Sequence, residues 1–60
     1  MGYYDTVILF GSVKNGQVFK YQNIYYTKSG ALKATYDNLL SGKTETKTFS
    51  PLTPVNVNSY

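Results

Sequence analysis

The chain has 60 residues, a net charge of +3, seven tyrosines, and neither cysteine nor histidine. This composition excludes disulfides, thiolate metal sites and histidine-based catalysis. Asp5, Asp37 and Glu45, the three carboxylates, are too scattered to form a cage for a hard metal ion. We therefore expect one small domain over residues 1–60 with no cofactor, no metal, no catalytic residue and no small-molecule substrate.

The chain is too small to bury much apolar surface on its own. A domain of this size buries only about 60% of the surface of its unfolded chain, so a partner subunit is an expected source of stability. Residues 7–10, "VILF", are far too few to span a bilayer, and the acidic start does not match a signal peptide. We expect a cytoplasmic protein without membrane contact. A short chain without arginine is compatible with a phage or mobile-element product.

The N-terminal half predicts a β-hairpin. Residues 6–13, "TVILFGSV", and residues 18–27, "VFKYQNIYYT", are rich in β-branched and aromatic residues. Asn15-Gly16 lies between them, and this pair is a strong signal for a two-residue turn. In that register Val13 faces Val18 and Phe10 faces Tyr21. Gly11 is a candidate β-bulge.

Both faces of this predicted hairpin are apolar. One face carries Val7, Leu9, Val13, Val18 and Ile24, and the other carries Ile8, Phe10, Phe19, Tyr21 and Tyr25. A sheet that faces water on one side should instead alternate apolar and polar residues. The pattern predicts that each face is covered, and that a partner covers the aromatic one.

Residues 31–41 predict a helix. Leu32, Tyr36, Leu39 and Leu40 recur at helical spacing, and Ser29 precedes them as a candidate N-cap. Gly42 then fits the left-handed residue that follows a helix. An alternative is a strand over residues 31–37, because apolar and polar residues also alternate there.

Residues 43–49, "KTETKTF", predict an exposed or edge strand, because threonine alternates with charged residues. Pro51 and Pro54 end it, and residues 50–60 form either a short final edge strand or an extended arm. We therefore predict an α+β fold, in which one helix crosses a three-stranded antiparallel sheet in the order β-β-α-β. The alternative is a small all-β barrel.

The segment "LLSGKT" at residues 39–44 resembles the end of a phosphate-binding loop. That motif needs a glycine five positions before Gly42, where this chain has Asp37, and a helix after it rather than before it. The sequence does not predict nucleotide binding. "PLTP" at residues 51–54 matches P-x-x-P, but a turn explains it better.

Two functions remain. The first is a non-catalytic interaction or assembly module, either a homo-oligomer or docked on a protein partner, with Phe10, Phe19, Tyr21 and Tyr25 as the contact face. The second is nucleic-acid binding by an aromatic hairpin that also uses Lys20, Tyr26 and Lys28. The absence of arginine favours the first, since arginine is the preferred residue for bases and phosphates.

Overall fold

A computed structural model describes residues 4–58 as one six-stranded antiparallel sheet and a single 3-10 turn. The sheet order is β1-β6-β2-β3-β4-β5. The elements in chain order are β1 (Thr6–Leu9), the 3-10 turn (Phe10–Ser12), β2 (Val18–Tyr21), β3 (Ile24–Gly30), β4 (Lys33–Asn38), β5 (Lys43–Thr48) and β6 (Pro54–Val57). The predicted α+β fold is wrong, since residues 4–58 contain no α-helix.

The predicted helix over residues 31–41 is replaced by a turn, β4 and a loop. Ala34 is buried and Tyr36 half-buried, whereas Lys33 and Asp37 are exposed, so the alternating pattern is the one the chain follows. An isolated helix of this length is marginal, and the run Thr35, Tyr36, Asp37 and Asn38 consists of weak helix formers. Pairing of β4 with strands on both sides outweighs that weak propensity. Ser29, the predicted N-cap, lies within β3.

The predicted hairpin between residues 6–13 and 18–27 is also wrong. β1 pairs with β6 and not with β2, because the chain turns away at Phe10 into the 3-10 turn. Gly11 is not a bulge but a close approach, since a Cβ there would lie 3.1 Å from the Pro51 Cβ. Asn15-Gly16 does form a turn, in which the Gln17 N–H donates to the Lys14 carbonyl at 2.9 Å.

Two hairpins of the molecule have loops that the sequence does not predict, and residues 31–32 join β3 to β4 in a third. Gln22 and Asn23, both with positive φ (51° and 67°), join β2 to β3 in the geometry of a type I′ turn. Residues 39–42 join β4 to β5, and Gly42 has the left-handed φ of +72° predicted for it. It closes a hairpin loop rather than a helix.

The last two strands have opposite surroundings. β5 is an edge strand with all its residues exposed, as the sequence predicts. β6 lies between β1 and β2, so this segment is an interior strand and not an edge strand or an arm. Pro54 is its first residue, where a missing N–H is tolerated. The strand predicted by the barrel alternative exists as β4, but the sheet is open, with β1 and β5 as its edges.

An aromatic cluster fills the inner face of the sheet, which we define by Phe19, Tyr26, Ala34 and Val55. Phe49, from the segment between β5 and β6, has its ring centroid within 5.4 Å of four other rings; these are Phe10, Phe19, Tyr21 and Tyr26. Two irregular segments thus cover the inner face in place of a helix: the 3-10 turn with Phe10 and Val13, and the strand-free stretch at Phe49.

Hydrogen bonds join these two covering segments to each other and to the sheet. The Phe10 N–H donates to the Thr53 carbonyl at 2.8 Å, and the Gly11 N–H donates to the Pro51 carbonyl at 2.9 Å. The Lys28 ammonium, from β3, donates to the carbonyls of Val13 (2.6 Å) and Phe10 (3.2 Å). Backbone hydrogen bonds between the two covering segments, together with the Lys28 ammonium below them, therefore fix the irregular backbone above the core.

Candidate protein-interaction surface

The predicted contact face does not stay together in the structure. Phe10 and Phe19 are fully buried in the chain's own core, and Tyr21 packs against that core. Tyr25 is 54% exposed, but it lies on the opposite, outer face of the sheet, because successive strand residues alternate and its neighbour Tyr26 faces inward. Of the four predicted contact residues, Tyr25 alone therefore presents most of its side chain to solvent.

The predicted nucleic-acid contacts are divided in the same way. Tyr26 and Lys28 are buried, and Lys28 has a structural role beneath the 3-10 turn, with its ammonium 4.7 Å from the Phe10 ring centroid. Burial raises the pKa of the Tyr26 phenol, and the neighbouring Tyr36 and Tyr21 hydroxyls add to this effect. Lys20 remains on the outer face, 5.5 Å from the Tyr25 ring centroid.

We call the β4–β5 hairpin, residues 33–48, the arm; it is distinct from the C-terminal arm that the sequence predicted. The most exposed apolar side chains of the described residues lie in the loop at its end. Leu39 is 92% exposed and Leu40 is 100% exposed. Single exposed apolar residues are common on protein surfaces, but two adjacent leucines that are almost entirely exposed form a small apolar patch. Helical spacing predicts that Leu39 and Leu40 pack on the sheet as part of a helix, whereas the structure exposes both of them.

The loop that carries these leucines does not need them for its geometry. The Asn38 side-chain carbonyl accepts hydrogen bonds from the N–H groups of Leu40 (2.9 Å) and Ser41 (3.3 Å). The Gly42 N–H donates to the backbone carbonyl of Asn38 at 2.7 Å, and Gly42 adopts the left-handed conformation that the turn requires. Since polar groups and glycine close the loop, other side chains at 39 and 40 would satisfy the fold equally well.

A groove of about 570 Å³ lies beside this loop. It runs between the arm and the β2–β3 turn, and its lining includes Ile24, Tyr25, Tyr36, Leu39 and Leu40. Apolar atoms dominate the lining, to which Asn23, Asp37 and Asn38 add polar groups. We call this concave surface, together with the two leucines, the tip groove; it has the composition of a protein contact site.

The outer edge of the arm is the second exposed feature. The Phe49 N–H donates to the Leu32 carbonyl at 2.7 Å, and hydrogen-bonded pairs alternate along an antiparallel ladder. The registered pairs Ala34–Lys47 and Tyr36–Glu45 are therefore the bonded ones. It follows that the backbone N–H and C=O groups of Thr44, Thr46 and Thr48 point away from β4, toward solvent.

No group of three or more metal-ligating side chains occurs among residues 4–58. A search of the same residues also finds no helix with the length and apolarity needed to cross a membrane.

Comparisons of the chain with protein-family models, with curated proteins and with solved structures give no match. The exposed leucines, the tip groove and the open edge of β5 make the arm the part of the described chain that presents the most contact surface to a partner.

Proposed function

We propose that the chain is a non-catalytic protein-interaction or assembly module, acting in the cytoplasm as a homo-oligomer or docked on a protein partner through the arm. The observation that carries this proposal is the exposure of Leu39 and Leu40, at 92% and 100%, in a loop whose geometry does not depend on them. Apolar side chains exposed together favour association, because contact with a partner removes them from water.

The magnitude of this effect requires a contact larger than the two leucines. Burying two leucine side chains contributes about 3–6 kcal/mol, whereas association costs at least about 4 kcal/mol in lost translational and rotational freedom. The partner must therefore also contact other parts of the arm, such as the tip groove or the open edge of β5.

A variant pair tests the role of the tip. We expect Leu39→Ser/Leu40→Ser to lower binding of the neutral apolar dye Nile red several-fold, because the variant removes the apolar rim of the tip groove. Leu52→Ser is the matched control, since Leu52 is 74% exposed in a separate turn. Fluorescence titration with unfolding curves for all three proteins makes the comparison. Equal dye binding by the tip variant and the parent would contradict the role of the tip.

Nucleic-acid binding is the alternative, and the contact between Lys20 and Tyr25 on the outer face favours it. An exposed aromatic ring with a neighbouring cation is a stacking platform for a base. Titration of a labelled oligonucleotide against salt separates the two functions, because several phosphate contacts give a steep loss of affinity with salt. A chain that stays monomeric by light scattering and binds the oligonucleotide with a steep salt dependence would overturn the proposed function.

A further inference from the structure

We propose that β5 pairs with β5 of a second copy of this chain, antiparallel about a twofold axis at Thr46. This inference deepens the proposed assembly function and rests on it. The two six-stranded sheets then form one continuous sheet, and the charges of Glu45 and Lys47 select the register.

The backbone of β5 supplies the hydrogen bonds for this pairing. The N–H and C=O groups of Thr44, Thr46 and Thr48 point to solvent, because the bonded pairs with β4 alternate from Leu32–Phe49 and leave these three residues out. About a twofold axis at Thr46, each Thr44 meets Thr48 of the other copy, and Thr46 meets its own symmetry mate. All three therefore meet residues whose backbone groups also point outward, which is the condition for bonded pairs in a ladder.

The side chains of β5 complement one another in this register. Glu45 lies directly opposite Lys47 of the other copy, and the symmetry repeats the pair. Opposite charges at such positions stabilise a sheet, and non-bonded pairs such as this one bring their side chains closest together. Within its own chain, Glu45 accepts hydrogen bonds from the Asn38 amide at 2.5 Å and the Ser41 hydroxyl at 3.3 Å, both neutral groups.

The neighbouring registers are less favourable. An axis at Glu45 places the two Glu45 side chains opposite each other and Lys43 opposite Lys47, and like charges at these positions are destabilising. An axis at Thr44 pairs Lys43 with Glu45, but it runs Thr46 against Gly42 in the loop and so shortens the ladder. Lysines on an edge strand usually oppose pairing; in the register at Thr46 the Lys47 charge meets a carboxylate.

Charge reversal at the two positions tests the register. Glu45→Lys places lysine opposite Lys47, and Lys47→Glu places glutamate opposite Glu45, so we expect each to weaken dimerisation about tenfold or more at low salt. The double variant Glu45→Lys/Lys47→Glu restores opposite charges and the composition of the parent, and should dimerise as the parent does. An equimolar mixture of the two single variants should form a mixed dimer.

These variants also separate register from net charge. Replacing a lysine by glutamate lowers the net charge by two, from +3 to +1, so reduced overall repulsion alone would make Lys47→Glu associate more tightly. Our proposal predicts the opposite. Lys43→Glu is the matched control, because Lys43 lies beyond the paired stretch and its reversal should leave dimerisation within about twofold of the parent.

Sedimentation equilibrium up to roughly 1 mM provides the masses, because an interface built on one edge strand belongs to the small, weakly associating class. Hydrogen exchange measured by NMR identifies the backbone amides at the interface. Dimerisation should slow the exchange of the Thr44, Thr46 and Thr48 amides as the protein concentration rises. A parent that is monomeric throughout with unprotected threonine amides would overturn the proposal, as would failure of the double variant to dimerise. Association that ignores every charge reversal would overturn this interface while leaving the proposed assembly function standing.

Discussion

Two parts of the sheet are stabilised by different means: the core sheet, which we define as β1, β6, β2, β3 and β4, and β5, the outer strand of the arm. In the core sheet, aromatic rings from β2, β3, the 3-10 turn and Phe49 pack on the inner face, and the hydrogen bonds of Lys28 fix the backbone above them. In the arm, β5 buries none of its residues and depends on the backbone ladder to β4. Side-chain burial therefore stabilises one region, whereas the other is free to present its side chains and its edge to a partner.

This contrast predicts that stability is distributed unevenly along the chain. Substitutions in the aromatic cluster should unfold the whole molecule, while substitutions on the outer strand of the arm should change association and leave the fold intact.

The largest effect is expected at Phe49, the ring that contacts most of the others. Phe49→Ala removes a buried phenyl group and should cost about 3–5 kcal/mol, which is comparable to the whole stability of a domain this small. We expect an unfolded chain by circular dichroism at 25 °C. The counterpart in the arm is Thr46→Val, which should change the unfolding free energy by less than about 0.5 kcal/mol. Similar losses at the two sites would contradict the division.

The next effect is expected at Lys28. Lys28→Met keeps the apolar stem but removes the ammonium that binds the carbonyls of Val13 and Phe10, at a cost of about 2–3 kcal/mol. Lys20→Met is the matched control on the outer face and should cost less than about 1 kcal/mol, since it loses only a contact with Tyr25. Urea denaturation measures both, and equal costs would show that Lys28 is not a structural residue.

A smaller, stabilising effect is expected at the turn between β2 and β3. Gln22 has a φ of 51°, which costs a glutamine side chain more than an asparagine. Gln22→Asn/Asn23→Gly installs the preferred type I′ pair and should raise the unfolding free energy by about 0.5–1 kcal/mol. Thermal unfolding would show the gain as a higher midpoint, and a lower midpoint would be evidence against the type I′ geometry.

At neutral pH the smallest effect belongs to the Tyr26 phenol. Its folded-state pKa lies above the ordinary value of 10.0, so the folded protein retains this proton when the unfolded chain loses it. Its stabilising contribution is complete below pH 10 and declines as the pH rises from there through the folded-state pKa. Tyr26→Phe should flatten that part of the stability curve, measured by urea denaturation between about pH 9 and 11. An unchanged slope would mean that other groups cause it.

The sequence predicts local features of this fold well. The polar threonine alternation of residues 43–49 indicates an edge strand, and β5 is one; Gly42 is predicted to be left-handed, and it is. Each of these features depends on the residue itself or on its immediate neighbours, and their physical causes are visible in the sequence.

Pairing between distant strands is not visible in the same way. β1 has the composition of a strand, but nothing in "TVIL" specifies β6 as its neighbour rather than β2. Phe49 ends a polar run, and the sequence does not predict its central role because its burial depends on four rings that are distant from it in sequence. The β2–β3 turn is not predicted, because a glutamine such as Gln22 rarely adopts positive φ. Helical spacing alone places Leu39 and Leu40 on the buried face of a helix that does not form.

The place of β6 between β1 and β2 also predicts an order of events during folding. The hairpins β2–β3 and β4–β5 connect near neighbours in the chain and close with little loss of loop entropy. β1 has no hydrogen-bonded neighbour strand until β6 arrives from the far end of the described chain, so the earliest of these six strands in the sequence is expected to be among the last to dock. Until then the edge of β2 that β6 occupies in the folded chain is unpaired, so we expect strand exchange between copies to begin at this edge.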